Sequence, residues 1–266
     1  MLPELAGAGT DPILVLYAGV LGAVIGSFLN VCILRWGAEP KQSVVRPPSR
    51  CPTCGRGLRW FENVPVLAWL VLRGRCRGCR EPISIQYPLI ELATGLAWAF
   101  MAWRHGFGLD ALRGAVFVTI LLGIAMTDAR AYIIPDEFSI GGLVLGLAFA
   151  LAAGRQPFGV ALLGASVGFA LLWLVAVAGE WMFKQEAMGG GDIKMMAMVG
   201  AFLGWQGTLL TVFLGALIGS LIFVPLSLIG HRKLVPFGIF LAIGAVATYL
   251  VGAAILTWYG GYLSQA

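Results

Sequence analysis

Met188-Gly189-Gly190-Gly191-Asp192 opens an apolar stretch that runs, through Gly204-Trp205-Gln206-Gly207, to residue 228. Three glycines and a carboxylate at the head of so apolar a run decide how the rest of the chain is read. The stretch is one of several in a chain of 266 residues that is 59% hydrophobic and only 12% charged. A soluble surface normally carries roughly 25% charge, so the composition excludes a soluble domain and specifies an all-α polytopic membrane protein. A carboxylate at membrane depth is costly unless it serves a pathway, a partner or a reaction. Asp128, at the end of another apolar stretch, is the second such residue.

Apolar windows at 12–34, 87–103, 111–127, 138–153, 158–181, 193–206, 207–228 and 235–258 predict about eight transmembrane helices. Several fall short of the ~20 residues that a perpendicular helix needs, so interfacial residues or protein contacts must complete them. The sixth and seventh are divided only by Gly204–Gly207, the one plausible turn between 193 and 228. Loops rich in Lys and Arg stay in the cytoplasm, and ten basic residues from Arg35 to Arg80 fall between the first two windows. Alternation then places fifteen basic residues inside, with Arg130, Lys184, Lys194, Arg232 and Lys233 among them. Arg104, Arg113 and Arg155 are left outside. Both termini are expected outside the cytoplasm. With no basic residue in the first ten, the first window reads as a retained anchor rather than a cleavable signal. Topology and anionic lipid headgroups account for the net charge of +5, and no nucleic-acid module is present in the sequence.

Residues 35–86 form the only sizeable polar segment and carry Cys51-Pro52-Thr53-Cys54 and Cys76-Arg77-Gly78-Cys79. The spacing C-x2-C-x21-C-x2-C suits two knuckles around one tetrahedral Zn²⁺, and a cytoplasmic location disfavours disulfides. A reduced, metal-free or redox-active loop is the alternative that spacing alone leaves open. Four thiolate ligands leave a metal no open position, so zinc here is structural, in a small zinc-ribbon-like loop. Cys32, inside the first window, reads as a packing residue. Val64 to Leu72 is apolar but too short to cross. It is either re-entrant or an element that packs the cysteine module onto the bilayer surface, and the second reading is preferred. Glu91 and Glu180 lie near inner span ends, where interfacial solvation or loop arginines would satisfy them.

On this topology Asp128 closes the third span, Asp136 opens the fourth and Asp192 opens the sixth, all on the cytoplasmic side. A helix N-terminus favours an anion and a C-terminus disfavours one, so Asp192 is expected to ionise more readily than Asp128. That asymmetry suits a carboxylate pair sharing one proton, one member activating water and the other polarising a scissile carbonyl. The glycines before Asp192 allow a substrate backbone to approach. The alternative for the pair is a packing charge matched to Arg130 or Lys194. Asp136, in Ile134-Pro135-Asp136-Glu137, reads first as a helix cap.

The ordered motifs resemble the type IV prepilin peptidases, bifunctional leader peptidase and N-methyltransferase enzymes of bacterial inner membranes. They include Gly26-Ser27-Phe28-Leu29-Asn30-Val31, both cysteine knuckles, Glu62-Asn63-Val64-Pro65 and Leu72-Arg73-Gly74-Arg75-Cys76. Pro82-Ile83-Ser84, Tyr87-Pro88 and Glu91 follow, then Asp128, Pro135-Asp136, the GxGD motif Gly189–Asp192 with Lys194, and Pro236-Phe237-Gly238. Gln86 stands where the pattern has a basic residue. The resemblance implies that Asp128 and Asp192 are the catalytic aspartates of a GxGD membrane protease. It implies cleavage of the basic leader from prepilins and pseudopilins after a glycine. It further implies methylation of the new N-terminus with S-adenosylmethionine, in the first region. The expected organisation is a first span at 1–34, a methyltransferase-associated cysteine loop and second span at 35–110, and an aspartic peptidase membrane domain at 111–266. An ion-coupled transporter that uses membrane aspartates is the rival reading, though no internal repeat supports it. A zinc-ribbon assembly factor without catalysis leaves the two aspartates unexplained.

Overall fold

The computed structural model describes residues 11–153, 156–185, 188–228 and 236–263. The first ten residues, Arg155, Arg232 and Lys233 lie outside them. Eight α-helices are present among the described residues: α1 Pro12–Trp36, α2 Leu67–Val71, α3 Gln86–His105, α4 Leu109–Ala131, α5 Asp136–Ala153, α6 Phe158–Phe183, α7 Gly190–Leu228 and α8 Phe237–Leu263. Five are long and apolar enough to cross a membrane, namely α1, α4, α6, α7 and α8. The protein is an integral membrane protein. It forms two compact units, Met1–Gly123 and Ile124–Ala266, divided within α4.

The helix ends follow local chemistry. The Asp11 carboxylate accepts the Ile13 amide at 2.8 Å and Pro12 occupies the first turn, so α1 starts where a missing N–H costs nothing. In the first unit, small residues let α1 and α3 close on each other. A Cβ on Gly22 would lie 2.6 Å from the Trp98 Cβ, and one on Gly26 would lie 2.8 Å from the Glu91 Cα. Where lipid offers no hydrophobic gain for helix association, such backbone approach supplies it through van der Waals contact. Cys32 is buried within α1, as a packing residue should be.

In the second unit α7 is two helices joined at Gly204, whose φ of 70° breaks the run. The two arms turn back on each other. A Cβ on Gly168 of α6 would lie 2.1 Å from the Met196 carbonyl oxygen and 3.2 Å from the Thr208 methyl. Twelve residues of straight helix would hold those two groups about 18 Å apart. Positive φ is what glycine supplies at such a reversal, and the expected turn at Gly204–Gly207 is where the chain makes it. Counting the arms separately, helices coincide with all eight expected windows. The close packing of the first arm on α6 has no room for a methyl, since a Cβ on Gly200 would lie 2.0 Å from the Gly164 carbonyl oxygen. Thr211 and Thr248 join the second arm to α8 through a hydrogen bond of 3.1 Å.

Candidate active site and metal centre

Asp128 sits in the last turn of α4, and Asp192 in the first turn of α7, where its amide donates to the Gly189 carbonyl at 3.2 Å. Their surroundings meet at Ile134: a Cβ on Gly191, next to Asp192, would meet its Cβ at 2.9 Å, and one on Gly238 would meet its Cδ1 at 2.9 Å. The same Cβ on Gly238 would lie 2.8 Å from Asp128 Oδ2. That oxygen accepts the Ile239 amide at 3.2 Å. The start of α8 is therefore built against Asp128, with Gly238 leaving the space.

This corrects the expectation that Asp192 alone enjoys a helix N-terminus. That expectation considered each residue's own helix, whereas the free amides of α8 reach Asp128 from 111 residues away. Asp192 Oδ1, by contrast, is buried with no hydrogen-bond partner in the protein. A buried carboxylate oxygen left unmatched is expensive, and functional sites are where such groups persist. Lys194 pairs with Asp136, not with either member of the couple. The packing-charge alternative thus loses its lysine. Asp136 begins α5 as expected, but its side chain ties α5 to α7 as well.

In the first unit the two knuckles are built alike. The Cys51 amide donates to the Arg56 carbonyl at 2.9 Å and the Cys76 amide to the Glu81 carbonyl at 2.8 Å, with Gly55 and Arg80 at positive φ in equivalent places. The four Sγ atoms of Cys51, Cys54, Cys76 and Cys79 lie within 4.8 Å of one another, and those of Cys51 and Cys79 are 3.8 Å apart. A tetrahedron with Zn–S of ~2.3 Å has S···S edges of about 3.8 Å, so the donor set fits one metal ion. All four cysteines are free of disulfides. The amides of Cys79 and Gly78 draw the Cys76 thiol down to about 6, toward the thiolate that binds metal.

Residues 20–105 match the bacterial peptidase A24 N-terminal domain and residues 115–224 match the type IV leader peptidase family. A prepilin leader peptidase/N-methyltransferase of Aeromonas hydrophila is 36% identical over 89% of this chain and 90% of its own. The chain belongs to the type IV leader peptidase family. The protein of the same name from Myxococcus xanthus is 42% identical over 83% of this chain and 67% of its own, and that of Neisseria gonorrhoeae 35% identical over 79% and 81%. No solved structure gives a significant match.

Within this family member, Glu91 is not spent on loop arginines or solvent. It is buried, and its Oε2 accepts the Val66 amide at 2.7 Å. Val66 has φ 60° and ψ −51°, the centre of a tight turn in which the Leu67 amide donates to the Pro65 carbonyl. Such a γ-turn at a β-branched residue is strained, by about 1–3 kcal/mol. A hydrogen bond to a carboxylate is worth about 1.5–3 kcal/mol, enough to hold it. Glu62 plays a similar part before that turn. Its carboxylate accepts from Arg56 Nη2 and the Arg59 amide, each at 2.8 Å, and these hold it below the usual carboxylate range. Asn30, buried in α1, donates to the Tyr87 carbonyl at 3.1 Å and so ties the start of α3. Their motifs were visible in sequence; their backbone partners were not. Glu180 is exposed at the end of α6, as an interfacial acid should be.

Proposed function

We propose that the chain is a bifunctional enzyme of the bacterial inner membrane. It cleaves the basic leader from type IV prepilins and type II secretion pseudopilins at the cytoplasmic face, then N-methylates the new N-terminal residue. The observation that carries the reading is the convergence, at Ile134, of the surroundings of Asp128 and Asp192, two membrane-end carboxylates from different helices, one bonded by α8 and one with an unmatched oxygen. One carboxylate takes a proton from water as the oxygen attacks the scissile carbonyl. The other, protonated, hydrogen-bonds the carbonyl oxygen and stabilises the tetrahedral intermediate. Collapse breaks the C–N bond and passes a proton to the leaving amine. Gly189 and Gly190, where an added Cβ would meet little or nothing, leave space for the substrate backbone beside this pair. An ion-coupled transporter leaves the four-cysteine loop without a role.

Methylation falls to the first region, 35–110, with Cys51, Cys54, Cys76 and Cys79 holding a structural Zn²⁺ that organises the loop. S-adenosylmethionine supplies the methyl group, and the freed α-amine is the nucleophile. The sequence has no G-x-G-x-x-G turn, so the donor is held by something other than a Rossmann fingerprint. Incubating the purified protein with a prepilin, with and without S-adenosylmethionine, tests the whole reading by product mass. Expected are the leader-free product without the donor and that product plus one methyl group with it. Intact substrate under both conditions rejects the proposal.

Gly238→Ala gives a finer expectation. Its methyl would stand 2.8 Å from Asp128 Oδ2 and 2.9 Å from Ile134 Cδ1, so the carboxylate must shift. A displacement of about 1 Å at a reacting group can cost ~10²-fold. The measured kcat for cleavage should fall by that order with normal membrane insertion, and unchanged kinetics would show that α8 does not set the geometry.

A further inference from the structure

The segment from Trp60 to Arg77 leaves one feature that neither proteolysis nor methylation explains. Trp60, Leu67, Leu70 and Val71 are 82%, 61%, 56% and 81% exposed, although α2 is five residues long and cannot cross a membrane. The opposite side of the segment is spent on the loop: the Trp69 indole donates to the Ile83 carbonyl at 3.1 Å and packs over Gly74. The element is thus two-sided, with one face used and one face bare and apolar. Exposed Arg59, Arg73, Arg75 and Arg77 flank that bare face. Across residues 35–86, ten basic residues face only Glu39, Glu62 and Glu81, a balance of plus seven before any thiolate is counted.

We infer that Trp60 and Leu67–Val71 form an interfacial anchor that inserts into the inner leaflet and collects anionic phospholipid headgroups on the adjoining arginines. Apolar side chains in the acyl boundary with arginines at headgroup level are the arrangement by which a short amphipathic element lies on a membrane, and tryptophan favours that depth. The charge decides among occupants. A basic peptide is repelled by this surface, whereas lipid phosphates are attracted and paired bidentately. Continuity with the membrane-spanning part of the same unit sets the depth, because Glu91, in the second turn of α3, holds the Val66 amide that starts the segment. The inference does not rest on the peptidase reading.

The test uses the full chain with a photo-crosslinking benzoyl-phenylalanine at Leu70 or Val71, in bilayers of phosphatidylcholine and phosphatidylglycerol mixed equally. Mass spectrometry of the adducts is the readout. Phospholipid adducts are expected at both positions and not at Arg80. Phosphatidylglycerol should be enriched over phosphatidylcholine by about fivefold for each basic residue engaged, and Arg73→Gln with Arg75→Gln should bring the ratio toward unity. Adducts only to a second copy, only to an added prepilin, or to water overturn the anchor. Lipid adducts with no headgroup preference overturn the anionic site. Monodisperse elution and an unchanged circular-dichroism spectrum and melting temperature in each variant show that the protein is folded, so a loss of adducts cannot be assigned to misfolding.

Discussion

Asp128→Asn and Asp192→Asn each lower leader cleavage by about 10²–10⁴-fold or more, the range that a positioned acid or base supplies, while the protein remains in the membrane in normal amount. Asparagine keeps the shape of the side chain. At position 128 its amide oxygen still accepts the Ile239 amide, so the brace to α8 survives and only proton exchange is lost. At position 192 it replaces an acid whose Oδ1 has no protein partner, so no structural bond is sacrificed either. On the proposed pairing the double variant should be little worse than either single one. Asp136→Asn is the control. Its ion pair with Lys194 is 48% and 38% exposed on its two sides, and pairs so open to solvent contribute about 0–1 kcal/mol. Substantial activity should remain. Initial rates of cleavage on a purified prepilin decide the matter, and near-normal cleavage by Asp192→Asn ends the proposal for the pair.

The parts of this molecule that were legible in its sequence are those with a local signature. Apolar length placed the helices, and Gly204 announced the reversal inside α7 because no other residue between 193 and 228 combines with its neighbours into a turn. Cysteine spacing announced the cluster of four Sγ atoms, which the two knuckles bring within 4.8 Å of one another. Asp128 and Asp192 stood out because charge is scarce where they lie. What was hidden is the set of bonds made to backbone amides across long separations. Ile239 donates to Asp128 and Val66 to Glu91, and a backbone donor carries no residue type that a sequence could display. The same reasoning explains why the helix N-terminus that reaches Asp128 was not foreseen. A helix dipole can be assigned to its own residues by inspection, but the terminus of α8 becomes visible only when the helices are packed. Lys194 and Asp136 are both plain charges in the sequence, yet their pairing over 58 residues is not deducible from either motif.

Methylation and proteolysis should separate along the chain, and the coupling should run one way. All four knuckle cysteines lie in one compact unit and both paired aspartates in the other. Methylation needs the free amine that cleavage creates, so Asp128→Asn should yield neither product from a full-length prepilin and still methylate a pre-cleaved peptide. The converse variant is Cys54→Ser, chosen because Cys54 is exposed and its loss leaves the buried Cys51 and Cys76 in place. Three remaining thiolates bind metal less tightly, and binding free energy at a structural site is folding free energy for the loop. Zinc content by elemental analysis should fall, and methylation of the pre-cleaved peptide should drop by about 10–100-fold, the scale of loss when a metal site is loosened. Cleavage should fall far less, because Asp128, Ile134, Asp192 and Gly238 all lie in the unit that does not contain the knuckles. Full zinc occupancy in the variant, or a purified wild-type protein without zinc, removes the structural metal from the account. If Cys54→Ser in a membrane-inserted protein stops cleavage as completely as Asp192→Asn, the loop belongs to the protease, and the two activities share one machine rather than two units.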